Sequence, residues 1–255
     1  MSHISFSELK NWEKCPFYHK LTYIDKIKAF QGNEHTAFGT AMHTVCENVL
    51  TVGLDDPQKS FDEFFLSELR KIQDVVVLDG KLLSDMRVQG KELAPMVKNA
   101  VEDYFGTDYE VVAVEEKLYE DIEGIQNIKF KGYIDLVLKT SDGQYHVIDW
   151  KTCGWGWDAR RKAEKMTVYQ LIFYKYFYAI KHNIEPDNIT VHFGLLKRTG
   201  KKNRIELFKT TSGKKRTENA LKLLYQAVYN ILAKNYTKNR MACTGCEFKN
   251  TKHCP

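Results

Sequence analysis

Between residues 109 and 151 the sequence changes to a period of two three times in close succession. The runs cover 110–119, 128–139 and 145–151, with Ser141-Asp-Gly143 as the turn between the last two. Alternating apolar and polar residues at this spacing predict a three-stranded meander, and a meander needs other elements to cover it. The flanking sequence supplies them. A short helix capped by Ser5, with Glu8 at capping-box spacing, ends at Cys15-Pro16. Helical periodicity continues at 37–50, 61–72 and 92–104, with an uncertain segment between the last two. After the meander come a long aromatic helix (161–180), a strand (190–196), a basic turn (197–204), a second strand (205–209) and a final helix (214–234). This order predicts an α/β fold with a mixed central sheet flanked by helices. No linker-like stretch interrupts it, so the expectation is one domain over 1–255: a mainly helical part (1–108), the sheet and its helix (109–210), and a C-terminal helix with a cysteine tail (211–255).

Two acids and a lysine stand out within the meander. Asp135 lies in Gly132-Tyr-Ile-Asp135-Leu-Val, and Asp149-Trp150-Lys151 lies on the next strand. Alternation puts Asp149 and Lys151 on one face, and the short turn brings Asp135 alongside. Both acids sit in apolar runs, where an unpaired charge is costly, so the group needs a cation. A buried Asp–Lys salt bridge is one answer. The other is a divalent metal such as Mg²⁺, which takes one or two carboxylates together with water and phosphate oxygens.

The charge distribution is compatible with a phosphate-bearing partner. Residues 1–150 carry 16 Lys or Arg against 26 Asp or Glu, whereas residues 151–255 carry 22 against 7. The basic half is either the footprint of a polyanion or a solvated surface. Just after Lys151, Cys153-Gly-Trp155-Gly-Trp157-Asp-Ala-Arg160-Arg161-Lys162 offers indole faces for base stacking and three cations for phosphates; core packing and a solvated helix start are the alternative. No apolar run approaches the roughly 18 residues of a membrane span, and the start lacks a secretory signal, so a cytoplasmic protein without a membrane partner is expected. Six cysteines are too sparse for a disulfide scaffold. Four of them, Cys15, Cys243, Cys246 and Cys254, fall near the two ends and could hold zinc or an iron-sulfur cluster.

Taken in order, Cys15-Pro16, Gly39-Thr-Ala-Met-His43, Gly132-Tyr-Ile-Asp135, Asp149-Trp-Lys151-Thr, Gln170 with Tyr174, and the terminal cysteines resemble the PD-(D/E)xK nuclease superfamily. Within it they are most similar to RecB-like and Cas4-like exonucleases that carry a four-iron, four-sulfur cluster. The resemblance implies a restriction-endonuclease-like core, with a cluster bound by Cys15, Cys243, Cys246 and Cys254 stapling the two ends. It implies Mg²⁺ or Mn²⁺ held by His43, Asp135, Asp149 and the backbone carbonyl of Trp150. Lys151 takes the catalytic lysine's place and Glu115 joins the site, Glu116 being the competing choice. Gln170 and Tyr174 border the substrate. The function so implied is DNA hydrolysis by activated water, on single strands or duplex ends, in recombination, repair or replication. No GxxxxGK[ST] loop is present, so a helicase or recombination partner would be a separate chain, and the cytoplasm would be a host's if the protein is virus-encoded. Two readings compete: a degenerate nuclease fold kept for DNA binding or assembly, and an iron-sulfur electron carrier. The turn at 197–204 is either a further backbone clamp or a charged hairpin tip.

Overall fold

The computed structural model describes residues 2–27 and 31–255. In chain order the elements are β1 (His3–Ser5), α1 (Phe6–Lys14), α2 (Pro16–His19) with a π-helical continuation (Lys20–Ile24), α3 (Glu34–Thr51), α4 (Pro57–Ile72), α5 (Gly80–Leu93), a 3-10 turn (Ala94–Met96) and α6 (Val97–Phe105). Then come β2 (Tyr109–Asp121), β3 (Lys129–Thr140), β4 (Tyr145–Cys153), α7 (Ala159–Lys162), α8 (Lys165–His182), β5 (Ile189–Lys197), β6 (Ile205–Thr210) and α9 (Lys214–Leu232). The chain gathers into two compact units. The larger comprises 31–117 and 133–212, the smaller 1–30, 118–132 and 213–255.

In the larger unit the strands lie in the order β3, β4, β5, β6, with β2 pairing with β3. β3 and β4 are antiparallel, Leu136 standing opposite Ile148. The crossover through α8 makes β4 and β5 parallel, with Asp149 opposite Phe193 and Lys151 opposite Leu195, and β6 returns antiparallel to β5. This is the mixed, helix-flanked sheet that the sequence order predicts. Phe38 of α3 and Phe61 and Phe65 of α4 bury their rings together, in one apolar cluster with Leu136, Ile148, Trp150 and Leu196 of the sheet. Trp150 is 1% exposed, and its indole needs room that only a residue without a side chain leaves: a Cβ at Gly194, opposite on β5, would stand 2.2 Å from the ring.

Two expectations change here. The long aromatic helix is broken, because Glu164 accepts hydrogen bonds from Met166 N and Thr167 N and so begins α8 afresh after the single turn of α7. The uncertain segment before residue 92 contains α5, capped by Asp79, whose carboxylate accepts from Lys81 N and Leu82 N.

In the smaller unit β1 runs parallel to the start of β3, with Ile4 opposite Phe130. Ser5 Oγ caps α1 through Glu8 N as the sequence predicts. The Glu8 carboxylate does not complete the box. It is buried against His19, whose Nε2 lies 2.8 Å from Glu8 Oε1. α1 packs against α9, so the first and last helices share a core. No helix among the described residues is long and apolar enough to cross a membrane.

Candidate active site

One step beyond the Leu136–Ile148 pair, the antiparallel register brings Asp135 and Asp149 together, so the two acids owe their meeting to strand pairing. Each is then fixed by a neutral donor. Trp150 N donates to Asp135 Oδ2 at 2.7 Å, and Gln170 Nε2 of α8 donates to Asp149 Oδ1 at 2.8 Å. The same amide nitrogen reaches Tyr174 Oη at 3.1 Å, one helical turn on. Asp149 is 1% exposed. Its Oδ2 lies 2.6 Å from Lys151 Nζ, a charge pairing that is off the axis of a hydrogen bond and leaves this buried oxygen without an aligned donor.

α3 presents His43 to the same place, with Nδ1 3.6 Å from Asp135 Oδ2. Gly39 is less critical for this approach than its place one turn earlier suggests: a Cβ there would meet Thr152 Oγ1 at 3.6 Å, an ordinary contact. β2 supplies Glu115, and it does so through a backbone irregularity. Glu115 has φ +47, and the strand's burial alternation slips at Ala113 and Val114, which re-aims the side chain as a bulge does. Glu116 points elsewhere and pairs with Lys181 Nζ at 2.7 Å and His182 Nε2 at 2.9 Å, so Glu115 is the acid that reaches the cluster.

His43, Glu115 and Asp135 each offer a ligand atom, all within 4.8 Å of one another. Burial pushes the Asp135 carboxyl well above its ordinary range, and the Asp149 charge pushes it the same way. Burial raises the Glu115 carboxyl, helped by Glu47. Glu47 lies one turn beyond His43 on α3, and the sequence reading missed it although its spacing from His43 was legible. His43 is held low by burial, against an opposing pull from Asp149. Crowded, desolvated carboxylates beside a neutral imidazole form a donor set suited to a hard divalent cation, whose charge would reverse these shifts.

The five residues expected to contact a polyanion are divided by the structure. Trp157 turns inward, 5.2 Å from the Phe193 ring, and Arg161 lies over its indole at 4.9 Å. Lys162 is tied to Glu206. Trp155 and Arg160 are exposed. In the basic turn, Lys197 is buried against Glu206 and Arg204 pairs with Glu92, so both have structural roles.

Within the smaller unit, Cys15, Cys243, Cys246 and Cys254 line one cavity of about 350 Å³ together with Phe17, Leu21 and Phe248. All are free thiols. Among the described residues, the ligand group whose donor atoms converge within 4.8 Å is the His43 one, and the cysteines form no such group. The closed staple between the ends is therefore not formed by the thiols themselves.

The profile of the PD-(D/E)XK nuclease superfamily matches residues 3–253, and the chain belongs to that superfamily. The crystal structure of a candidate exonuclease from Eubacterium rectale is similar over 100% of this chain and 90% of its own, with a TM-score of 0.63 at 12% identity, a likeness of fold. The structure of SSO0001 aligns over 84% of this chain and 92% of its own at 15% identity, with a TM-score of 0.39, too low to bear on the fold. No curated protein matches the chain.

Proposed function

We propose that the protein is a metal-dependent deoxyribonuclease that removes nucleotides from DNA ends by hydrolysis, in recombination, repair or replication. The observation that carries this reading is the convergence of His43, Glu115 and Asp135 within 4.8 Å, beside a buried Asp149 paired with Lys151, in a chain of a nuclease superfamily. His43, Glu115, Asp135 and Asp149, with the Trp150 carbonyl, would hold Mg²⁺ or Mn²⁺. When bound, such an ion supplies a Lewis acid for a phosphoryl oxygen and acidifies water. The chain's own groups do the rest. Trp150 N and Gln170 fix the two aspartates from behind, leaving their remaining lone pairs for ligands. Asp149 steadies the Lys151 ammonium, which orients the attacking water and offsets charge gathering on the phosphate. Tyr174 stays a neutral phenol, raised by burial and by Asp149, and donates or accepts without carrying charge.

The four cysteines around one cavity support a structural four-iron, four-sulfur cluster. A tetrahedral zinc ion with four Zn–S bonds of about 2.3 Å is the alternative occupant of the same four thiols. Anaerobically prepared protein that is brown and contains iron would support the cluster; colourless, zinc-loaded protein would replace it with zinc.

The test of the main reading is digestion of DNA labelled at either end, single-stranded and duplex, with Mg²⁺, Mn²⁺ or Ca²⁺. Cleavage with the first two and little with Ca²⁺ is expected, because Ca²⁺ takes looser, higher coordination. DNA binding without cleavage under any metal would make the chain a binding module on a nuclease fold.

A further inference from the structure

The loop after β4 carries two tryptophans with opposite fates. Trp157 is packed edge-on against Phe193 and Phe208. Trp155, two residues earlier, is 83% exposed. An exposed indole offers a broad apolar face with a polar N–H at its edge, and here it stands on a loop whose backbone is held on both sides.

The loop is fastened on both sides of Trp155. Before it, Arg198 N donates to Cys153 O and Thr199 N donates to Gly154 O, each at 2.9 Å. After it, Gly156 adopts φ +123 against the Lys197 stem, Asp158 Oδ1 caps α7 through Arg161 N at 2.7 Å, and Glu206 ties Lys162 to Lys197. Glu206 and Asp158 line an open depression with Trp155, yet the first is neutralised by two lysines and the second is spent on a helix start beside Arg160 and Arg161. Trp155 is thus presented on a fastened loop, with Arg161 lining the same depression. It lies four residues after Lys151, within about 14 Å along the chain.

We propose that Trp155 is the stacking platform for one unpaired nucleobase of the strand whose phosphate reaches Lys151, and that the substrate class is a single-stranded or frayed DNA end. This rests on the nuclease reading for the strand's path. A base inside a duplex has neighbours on both faces, so an indole on a fixed loop can stack only on a base already out of the helix. Stacking of this kind tolerates any sequence, because every base offers a π-face. Fastening the loop beforehand removes the ordering cost from binding.

The experiment uses metal-free protein and fluorescent oligonucleotides: a single strand, the same strand in a blunt duplex, and single strands in which one abasic residue is moved position by position. Trp155→Ala should weaken single-strand binding about five- to hundredfold, by the same factor at every salt concentration, and leave the blunt duplex unchanged. Trp155→Phe should recover much of the loss. One abasic position should weaken the wild type by a similar factor and cost Trp155→Ala nothing further. An unchanged affinity, an equal loss on duplex, or additive losses at every abasic position would overturn the proposal; the first would leave Trp155 to a protein partner. Cleavage of the same oligonucleotides by wild type and by Trp155→Ala with Mg²⁺, run in parallel, separates the two readings. Binding that depends on Trp155 without cleavage sinks the nuclease and keeps the platform, whereas cleavage unaffected by Trp155→Ala does the reverse.

Discussion

In the larger unit, the side chains of the candidate site come from β2, β3, β4 and α3, and strand register together with two neutral hydrogen bonds holds the aspartates at defined places. In the smaller unit, four cysteines from the two ends of the sequence surround a cavity, and no ladder sets the spacing of their sulfurs. The charges divide as well: the smaller unit holds 16 Lys or Arg against 8 acids, the larger 22 against 25. The basic excess of the second half of the sequence is shared between the units, and only in the smaller one is it left unbalanced by acids from earlier in the chain. The comparison teaches that side chains set by strand register are placed before any ligand arrives, whereas the spacing of thiols drawn from distant segments is left to whatever they would bind, whose binding free energy would then be folding free energy.

The sharpest way to break this contrast is to damage each site and ask whether rate or stability fails. Asp149→Asn, which keeps the Gln170 partner, and Lys151→Ala should each lower cleavage at least about a thousandfold while the thermal midpoint stays within a few degrees. Turnover within tenfold of wild type in either variant would remove the site from the chemistry. Cys243→Ser should show the opposite pattern. A loss of about 4 kcal/mol would lower the midpoint by roughly 8 to 16 °C in a scanning melt, with activity per folded molecule retained. A melt unchanged from wild type would mean that the cavity holds nothing structural.

The larger unit also carries a buried histidine whose protonation is linked to folding. His192, 3% exposed, is depressed to about 3 by burial, with His146 and Lys209 adding to the shift. It is neutral when folded and takes a proton at about 6.5 when unfolded, so its contribution is complete above pH 6.5 and is lost as pH falls toward 3, at about 1.4 kcal/mol per pH unit. Denaturant midpoints measured between pH 7 and 4 should carry this slope, and His192→Asn should flatten it by about one proton. The smallest effects separate two glycines. Gly194→Ala should cost about 1 to 3 kcal/mol by driving a methyl into Trp150, whereas Gly39→Ala should be neutral or stabilising by up to about 1 kcal/mol, since its Cβ meets only ordinary contact. Equal urea midpoints for the two would contradict the packing described at Trp150.

Much of this was legible because it is local. The meander, the Asp135–Asp149–Lys151 set and the turn between its strands follow from a two-residue period and one tight turn, and α3 with His43 follows from helical spacing. What escaped was decided by tertiary partners. α5 carries Gly90 where a core side chain would stand, because the Phe61 ring fills that space: a Cβ there would lie 2.0 Å from the ring. α8 begins at a Glu, a residue that rarely serves as a cap, so no start signal was visible. The choice of Glu115 over Glu116 depends on one left-handed residue, and the parting of Trp155 from Trp157 depends on which indole meets Phe193. Neither leaves a periodic trace.

The pairing of α1 with α9 has a consequence in time. Ile4, Phe6 and Leu9 are buried in the finished unit, yet about 200 residues separate α1 from the helix that covers it, and about 230 separate Cys15 from Cys243. At roughly 5 to 20 residues per second, the first helix waits on the order of 10 to 45 seconds after synthesis before its partner exists. Through that interval its apolar face is left uncovered while the sheet of the larger unit is already being made, so α1 is secured only after the strands that follow it in the chain.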